Sequence, residues 1–198
     1  GASGINFAET RMRAGDYSGQ ELPFVMGMEA AGTVEAVGAG VSGFNEGDRV
    51  FGRVRGAHAE VVDCDPDHLM LLPENLSFAQ GAAIPVGWLT AWHALYTVGR
   101  MKAGDRILVE AVGGSVGSAA LALAKQAGCW AVGTASRDDK LAYATSMGCD
   151  AVVNYTRDSV SQQVAALTDG QGMDIGLMTI GDATADELID SMGMDGRV

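Results

Sequence analysis

The sequence predicts an α/β protein: a short-stranded β region over residues 1–86, then a doubly wound parallel sheet covered by helices over 87–198. Three observations predict it. Up to about residue 86 the chain consists of short Val-rich runs broken by glycine and charge, the pattern of strands joined by tight turns. From about residue 87, apolar runs of strand length alternate with Ala- and Leu-rich stretches of helix length, and such alternation calls for parallel strands with helices on both faces. Glycine supplies 28 of the 198 residues, with only four prolines and no G-X-Y period. The glycines therefore serve turns and close backbone approaches, not a collagen or a linker.

In order, "GTVEAVG" (32–38), "DRVFGRV" (48–54) and "HAEVVDC" (58–64) are predicted strands, with a turn-rich connector over 38–48. Pro66, Pro73 and Pro85 punctuate the exit from this region. Residues 86–98 predict a buried helix, because they are apolar nearly all round. Residues 103–111 read as a turn and a buried strand, and 115–128 as a helix closed by Gly128. A strand over 130–135, a helix over 137–148 with acids in its first turn and a strand over 151–155 follow. The series ends with a helix over 158–170, a strand over 174–180 and a short helix over 184–193. A further strand is expected to begin only at 196–198, which leaves 174–180 as an exposed sheet edge.

Composition narrows the function. Twenty-five acidic residues against 13 basic ones give a net charge of −12, a field that repels phosphate backbones and anionic lipid. Neither nucleic acid nor a membrane surface is an expected partner, and no apolar run approaches the roughly 18–20 residues of a membrane span. Cys64, Cys129 and Cys149 are scattered, with no C-x-x-C. That usage points to a reducing compartment, hence a cytoplasmic location, and away from a disulfide framework or a four-thiolate zinc site.

The most informative segment is "RILVEAVGGSVGSAALALAKQAG" (106–128). A buried strand runs into a glycine-rich turn that opens directly into a helix, the context a dinucleotide pyrophosphate needs. Glycine lets the backbone approach the phosphates, and the helix start aims its free N–H groups at them. Gly114 and Gly117 fit the second and third glycines of G-x-G-x-x-G, while Val112 holds the first position. Gly114, Ser115, Val116 and Gly117 are the expected pyrophosphate cradle. The next strand ends at Ala135, Ser136 and Arg137, with Lys140 one turn on. No acid stands at that tip to take a ribose 2′-hydroxyl, so Ser136, Arg137 and Lys140 favour NADP (NADPH) over NAD.

With both halves in hand, the sequence resembles the medium-chain dehydrogenase/reductase superfamily, in its zinc-independent quinone oxidoreductase (zeta-crystallin-like) branch. The resemblance rests on "GINFAETRMRAGDY" (4–17), "GMEAAGTVEAVGAGV" (27–41), "GDRVFG" (47–52), "HAEVV" (58–62), "LPENLSFAQGAAIPVGWLTAWHAL" (72–95) and the turn from Ala111 to Gly117, in this order and spacing. It implies a partial GroES-like substrate domain over 1–86 and an incomplete Rossmann dinucleotide-binding domain over 87–198. It also implies a homodimer, and a chain that is the central stretch of a longer subunit. Zinc-dependent relatives carry a cysteine and a Gly-His-Glu where this chain has Asn6 and Gly27-Met28-Glu29. Amide and thioether are poor replacements for thiolate and imidazole on Zn²⁺, so no metal is expected.

Without a Lewis acid, the resemblance implies hydride delivery from NADPH to an electron-poor small molecule, a quinone or an α,β-unsaturated carbonyl compound. It places Asn6 and Tyr17 beside nicotinamide and substrate. Asn6 is expected to offer an amide donor to a carbonyl oxygen, and Tyr17 a ring and a phenol. Thr90 matches a cofactor-contacting threonine, and Tyr155 a tyrosine at the 2′-phosphate end. None of His58, His68 and His93 is assigned to catalysis. Glu110 stands just before the glycine turn; its side chain is expected to point away from the pyrophosphate it would repel. An enoyl-thioester reductase domain of a polyketide or fatty-acid synthase, or a non-catalytic NADPH-binding crystallin-like protein, fits the same motifs.

Overall fold

The computed structural model describes residues 1–17, 22–181 and 184–198. The chain divides into two compact units, Gly1–Val86 and Gly87–Val198.

In the first unit, β1 (Ala2–Ser3), β2 (Glu29–Thr33), β3 (Arg49–Arg53) and β4 (Leu69–Leu71) pair in that order into an antiparallel sheet. Helix α1 (Phe7–Ala14) lies between β1 and β2, and α2 (Phe78–Ala82) follows β4. Ala31, Phe51, Leu72 and Ala82 form the small core. Arg49 bridges from β3 to the Glu74 and Leu76 carbonyls, with its guanidinium 4.8 Å from the Phe78 ring centre. The strand expected over 32–38 runs instead over Glu29–Thr33, and α1 is an addition to the sequence reading. Residues 58–64 form no strand, a correction to the prediction. A Val-rich run becomes a strand only where a sheet edge accepts it. Here His58 N donates to Met26 O in a loop contact, and Val61 is exposed.

The boundary falls within α3 (Pro85–Trp92), which widens into one π-helical segment, His93–Val98, in the second unit. Then β5 (Arg106–Val109), α4 (Ser115–Gln126), β6 (Trp130–Ala135), α5 (Asp138–Ser146), β7 (Ala151–Asn154), α6 (Val160–Leu167), β8 (Met173–Leu177), α7 (Ala185–Asp190) and β9 (Met192–Arg197) follow. The five strands are parallel, in the order β7-β6-β5-β8-β9. This is the doubly wound arrangement, stepping outward from β5 in both directions. Side-chain alternation splits the core between the two faces. Ile107, Val109, Leu121 and Ala131 lie in one cluster, and Leu108, Val132, Val153, Val164 and Leu188 in the other.

The expected exposed edge at 174–180 is corrected by β9. Helix α7 stops at Asp190, and the chain pairs along β8 from Met173↔Met192 to Ile175↔Arg197, with a register shift between. The sequence Met-Gly-Met-Asp-Gly-Arg has no β-branched residue, so its strand conformation comes from pairing and not from propensity.

Candidate functional site: a phosphate-binding turn and a carboxylate-backed asparagine

The parallel sheet brings its turn and two strand tips to one edge. After β5 the backbone turns at Ala111, which adopts a left-handed conformation (φ 46°), so the strained position is Ala111 and not Val112. Val112 N donates to Thr134 O (3.0 Å), and Gly114 N to Ala111 O (2.7 Å). Helix α4 starts with Gly114 as its N-cap, without a capping side chain. Ser118 N donates to Gly114 O (2.9 Å), and no partner among the described residues takes the N–H groups of Ser115, Val116 and Gly117. Three adjacent donors at the positive end of a helix suit a pyrophosphate. A side chain on Gly117 would overlap Ala111 O and lie 2.8 Å from Ala111 C and Val112 Cα, so only glycine permits this turn. Thr90 is exposed on α3, one turn beyond Gly87, whose α-carbon faces the Ser115 side chain.

Ala135 of β6 pairs with Asn154 of β7, so Ser136 and Tyr155 each lie one residue past neighbouring strand ends. Ser136 is exposed; Tyr155 is half-buried against the second core cluster. Lys140 reaches back from α5, and its Nζ donates to Gly113 O (3.3 Å), joining the strand tip to the turn. Arg137 is already paired: its Nε and Nη2 donate to Asp139 at 2.9 and 2.8 Å. Arg157, absent from the sequence reading, donates to Asp138 in the same way (2.7 and 3.1 Å). Hydrogen bonds from Arg157 and Asn154 hold the Asp138 carboxyl below the ordinary aspartate range, and those from Arg137 do the same for Asp139. A phosphate at this tip would compete with both aspartates for the arginines.

Glu110 points away from the turn, as expected. It is buried, and its Oε2 accepts from Thr179 N (2.9 Å) and Ile180 N (3.0 Å) in the segment after β8.

In the first unit, Asn6 caps α1 and Tyr17 is exposed two residues past its end at Gly15. Sequence reasoning missed what lies under Asn6: two buried carboxylates, Glu9 and Glu29, at 1% and 3% exposure. Asn6 N donates to Glu9 Oε2 (2.7 Å), and Asn6 Nδ2 donates to Glu29 Oε1 (2.9 Å) and, at longer range, to Glu9 Oε2 (3.4 Å). Glu29 Oε2 accepts from Val86 N (2.7 Å). A side chain on Gly4 would overlap Glu29 Oε1, so the bare backbone there makes room for the carboxylate. Glu9 Oε1 has no hydrogen-bond partner among the described residues, and His58 Nε2 lies 3.6 Å from it while contacting Gly4 O at 3.1 Å. The amide nitrogen read from the sequence as a donor to substrate is thus already spent on carboxylates. The only sequence signal for this cluster was Glu29 in the Gly-Met-Glu triplet.

The donor set does not suit zinc. Among the described residues no three His, Cys, Asp or Glu side chains converge as ligands, and Asn6 and Met28 offer amide and thioether. The cysteines are free, and burial pushes the Cys149 thiol up to about 11. A cavity of about 1330 Å³ in the first unit is lined by neither Asn6 nor Tyr17. No helix among the described residues is long and apolar enough to cross a membrane.

Comparison with known proteins agrees with this architecture. The alcohol dehydrogenase GroES-like domain family matches residues 1–83, and the zinc-binding dehydrogenase family matches 115–198. The chain belongs to the medium-chain dehydrogenase/reductase superfamily, in its zinc-independent quinone oxidoreductase branch.

Among relatives, it is 37% identical to the pikromycin polyketide synthase component PikAII of Streptomyces venezuelae, over 99% of this chain and 5% of that protein. It is 35% identical to a quinone oxidoreductase of Pongo abelii, over 88% of this chain and 54% of the relative. Among solved structures, a quinone oxidoreductase of Pseudomonas syringae pv. Tomato superposes with a TM-score of 0.91 at 36% identity, covering 98% of this chain and 60% of that one. A mycobacterial protein complexed with NADPH gives 0.92 at 33% identity, covering 98% and 61%. The CurK enoyl reductase gives 0.84 at 27% identity, covering 88% and 52%. The chain therefore spans little more than half the length of the quinone oxidoreductases it matches, and a small fraction of the synthase.

Proposed function

We propose that this chain forms the core of a zinc-independent oxidoreductase that uses NADPH to reduce a quinone or an α,β-unsaturated carbonyl compound. The observation that carries the reading is the turn from Ala111 to Gly117. It leaves three helix-start N–H groups without a partner among the described residues, beside Ser136 at the strand tip and Arg137 and Lys140 at the start of α5. The N–H groups of Ser115, Val116 and Gly117 would hold the pyrophosphate, with Gly114 keeping the approach clear. Arg137, Lys140 and Tyr155 would meet the 2′-phosphate end, and Thr90 would contact the cofactor from α3. Bound NADPH would supply a hydride, and a hydroxyl or solvent the accompanying proton. Asn6 and Tyr17 would lie beside the nicotinamide and the substrate. The NADPH complex of a structural neighbour supports the cofactor, and the quinone oxidoreductase relatives support the acceptor.

A second reading, an enoyl-thioester reductase domain of a synthase, is favoured by the identity to PikAII and the likeness to CurK. The experiment that separates them is turnover of the whole protein with NADPH against quinones, enones and enoyl thioesters, with NADH and a chelator as controls. Quinone or enone turnover, tighter binding of NADPH than NADH and indifference to the chelator are expected. Turnover confined to enoyl thioesters would give the second reading. Cofactor binding without turnover would leave a crystallin-like binding protein, and equal affinity for the two cofactors would sink the role of Ser136, Arg137 and Lys140.

A further inference from the structure

The amide of Asn6 has two chemically opposite ends, and its surroundings decide which one is available. Ionised carboxylates accept hydrogen bonds and cannot donate them. Glu29 Oε1 lies 2.9 Å from Nδ2, and Glu9 Oε2 lies 3.4 Å from the same atom. The end facing them must therefore be the NH₂, and its two hydrogens are consumed there. Neither carboxylate is free to turn away. Glu29 is buried, is held from its other oxygen by Val86 N (2.7 Å), and fits only because residue 4 is glycine. Glu9 is buried and held by Asn6 N (2.7 Å). Turning the amide over would set its carbonyl oxygen against two carboxylates and leave three acceptors facing one another without a proton. Oδ1 is the one end that can take a new bond.

We propose that Glu29, backed by Glu9, is a positioning residue that fixes Asn6 as a hydrogen-bond acceptor, so that the ligand group bound there must bring its own O–H or N–H. This rests on the reading above that Asn6 belongs to the substrate site. It deepens that reading by naming the ligand chemistry. A neutral hydroxyl of hydroquinone type fits, whereas a bare carbonyl oxygen or an enolate meets no donor and faces two negative charges. For a quinone acceptor, the Asn6 contact then favours the reduced, hydroxyl-bearing form.

The test measures equilibrium binding of hydroquinone and of 1,4-dimethoxybenzene, the same ring without O–H donors, to the whole protein and to N6A and E29Q. The parent is expected to bind hydroquinone at least about tenfold more tightly, the order of one good hydrogen bond. E29Q presents an amide that can donate to Oδ1, frees the Asn6 amide to reverse, and should bring that ratio to within about threefold. A direct readout needs no variant of Glu29. The Asn6 side-chain NH₂, assigned by its loss in N6A, should exchange with solvent at least about tenfold more slowly than that of exposed Asn75. Equal binding of the two ligands by the parent, no detectable hydroquinone binding, or Asn6 exchange as fast as Asn75, would overturn the proposal. If N6A leaves hydroquinone binding unchanged while exchange is slow, the positioning stands and the assignment of Asn6 to the substrate site falls.

Discussion

Glu110 sits one residue before the glycine turn, and its replacement by alanine separates a structural role from an electrostatic one. In the structure Oε2 takes two backbone N–H groups, Thr179 N at 2.9 Å and Ile180 N at 3.0 Å, and the residue is buried. Hydrogen bonds to a charged group contribute roughly 1.5–3 kcal/mol each, and a backbone N–H left unpaired away from water costs about 1–3 kcal/mol. Both donors belong to exposed residues that water can reach, and removing the carboxylate also relieves its own desolvation, so we expect a net loss of about 1–3 kcal/mol for E110A. E110Q keeps an acceptor of the same reach without the charge and should lose about 1 kcal/mol. The backbone bonds of Glu110 to Leu177 and Thr179 survive both changes. Urea unfolding at neutral pH reads the loss, and a parallel titration with NADPH reads cofactor affinity. A destabilised E110A with cofactor affinity within about threefold of the parent is the expected pair of results. Unchanged stability with tighter NADPH binding would refute the reasoning, because the carboxylate would then be acting through its charge on the phosphates.

Two further outcomes follow from the same geometry. G117A places a methyl group against Ala111 O and Val112 Cα, so it should destabilise the protein by about 1–3 kcal/mol and weaken NADPH binding at least tenfold, measured by thermal unfolding and by titration. Glu187 accepts from Ser161 N and the Ser159 hydroxyl at the start of α6. These bonds, the Ser161 backbone foremost, hold its carboxyl below the ordinary glutamate range against the opposing effect of burial. A depressed folded-state value gives stability that is present above the unfolded value and lost as pH falls through the folded one. E187Q should therefore flatten the loss between about pH 5 and 3, by less than about 1 kcal/mol because the pair is partly solvated. Unfolding curves of both proteins across that range are the check.

The second unit was largely legible because its signals are local. Apolar runs such as Ile107–Val109 and the Ala-rich stretch from Ser115 alternate with the spacing of a parallel sheet, and Gly128 and Gly148 close helices as C-terminal glycines do. What failed was non-local. β9 is glycine-rich and exists because β8 offers it an edge, while 58–64 is Val-rich and pairs with no strand among the described residues. The burial of Glu9 and Glu29 was illegible for the same reason. Charged residues in short polar segments read as solvated, and only the fold brings Asn6, Val86 and the bare backbone of Gly4 around them. Arg137 and Lys140 were visible as charges at a strand tip, but the aspartates that occupy Arg137 and Arg157 become partners only through side-chain geometry.

The bond between Val86 N and Glu29 has a practical consequence for dissecting the protein. Val86 is the last residue of the first unit, and a boundary drawn a few residues earlier would look harmless by sequence. It would nevertheless remove a backbone donor from a carboxylate that is buried in the intact chain, and with it one of the two holds that keep Glu29 against Asn6. An isolated first unit ending before Val86 would retain every side chain discussed for that unit and still lose the template that sets which way the Asn6 amide faces.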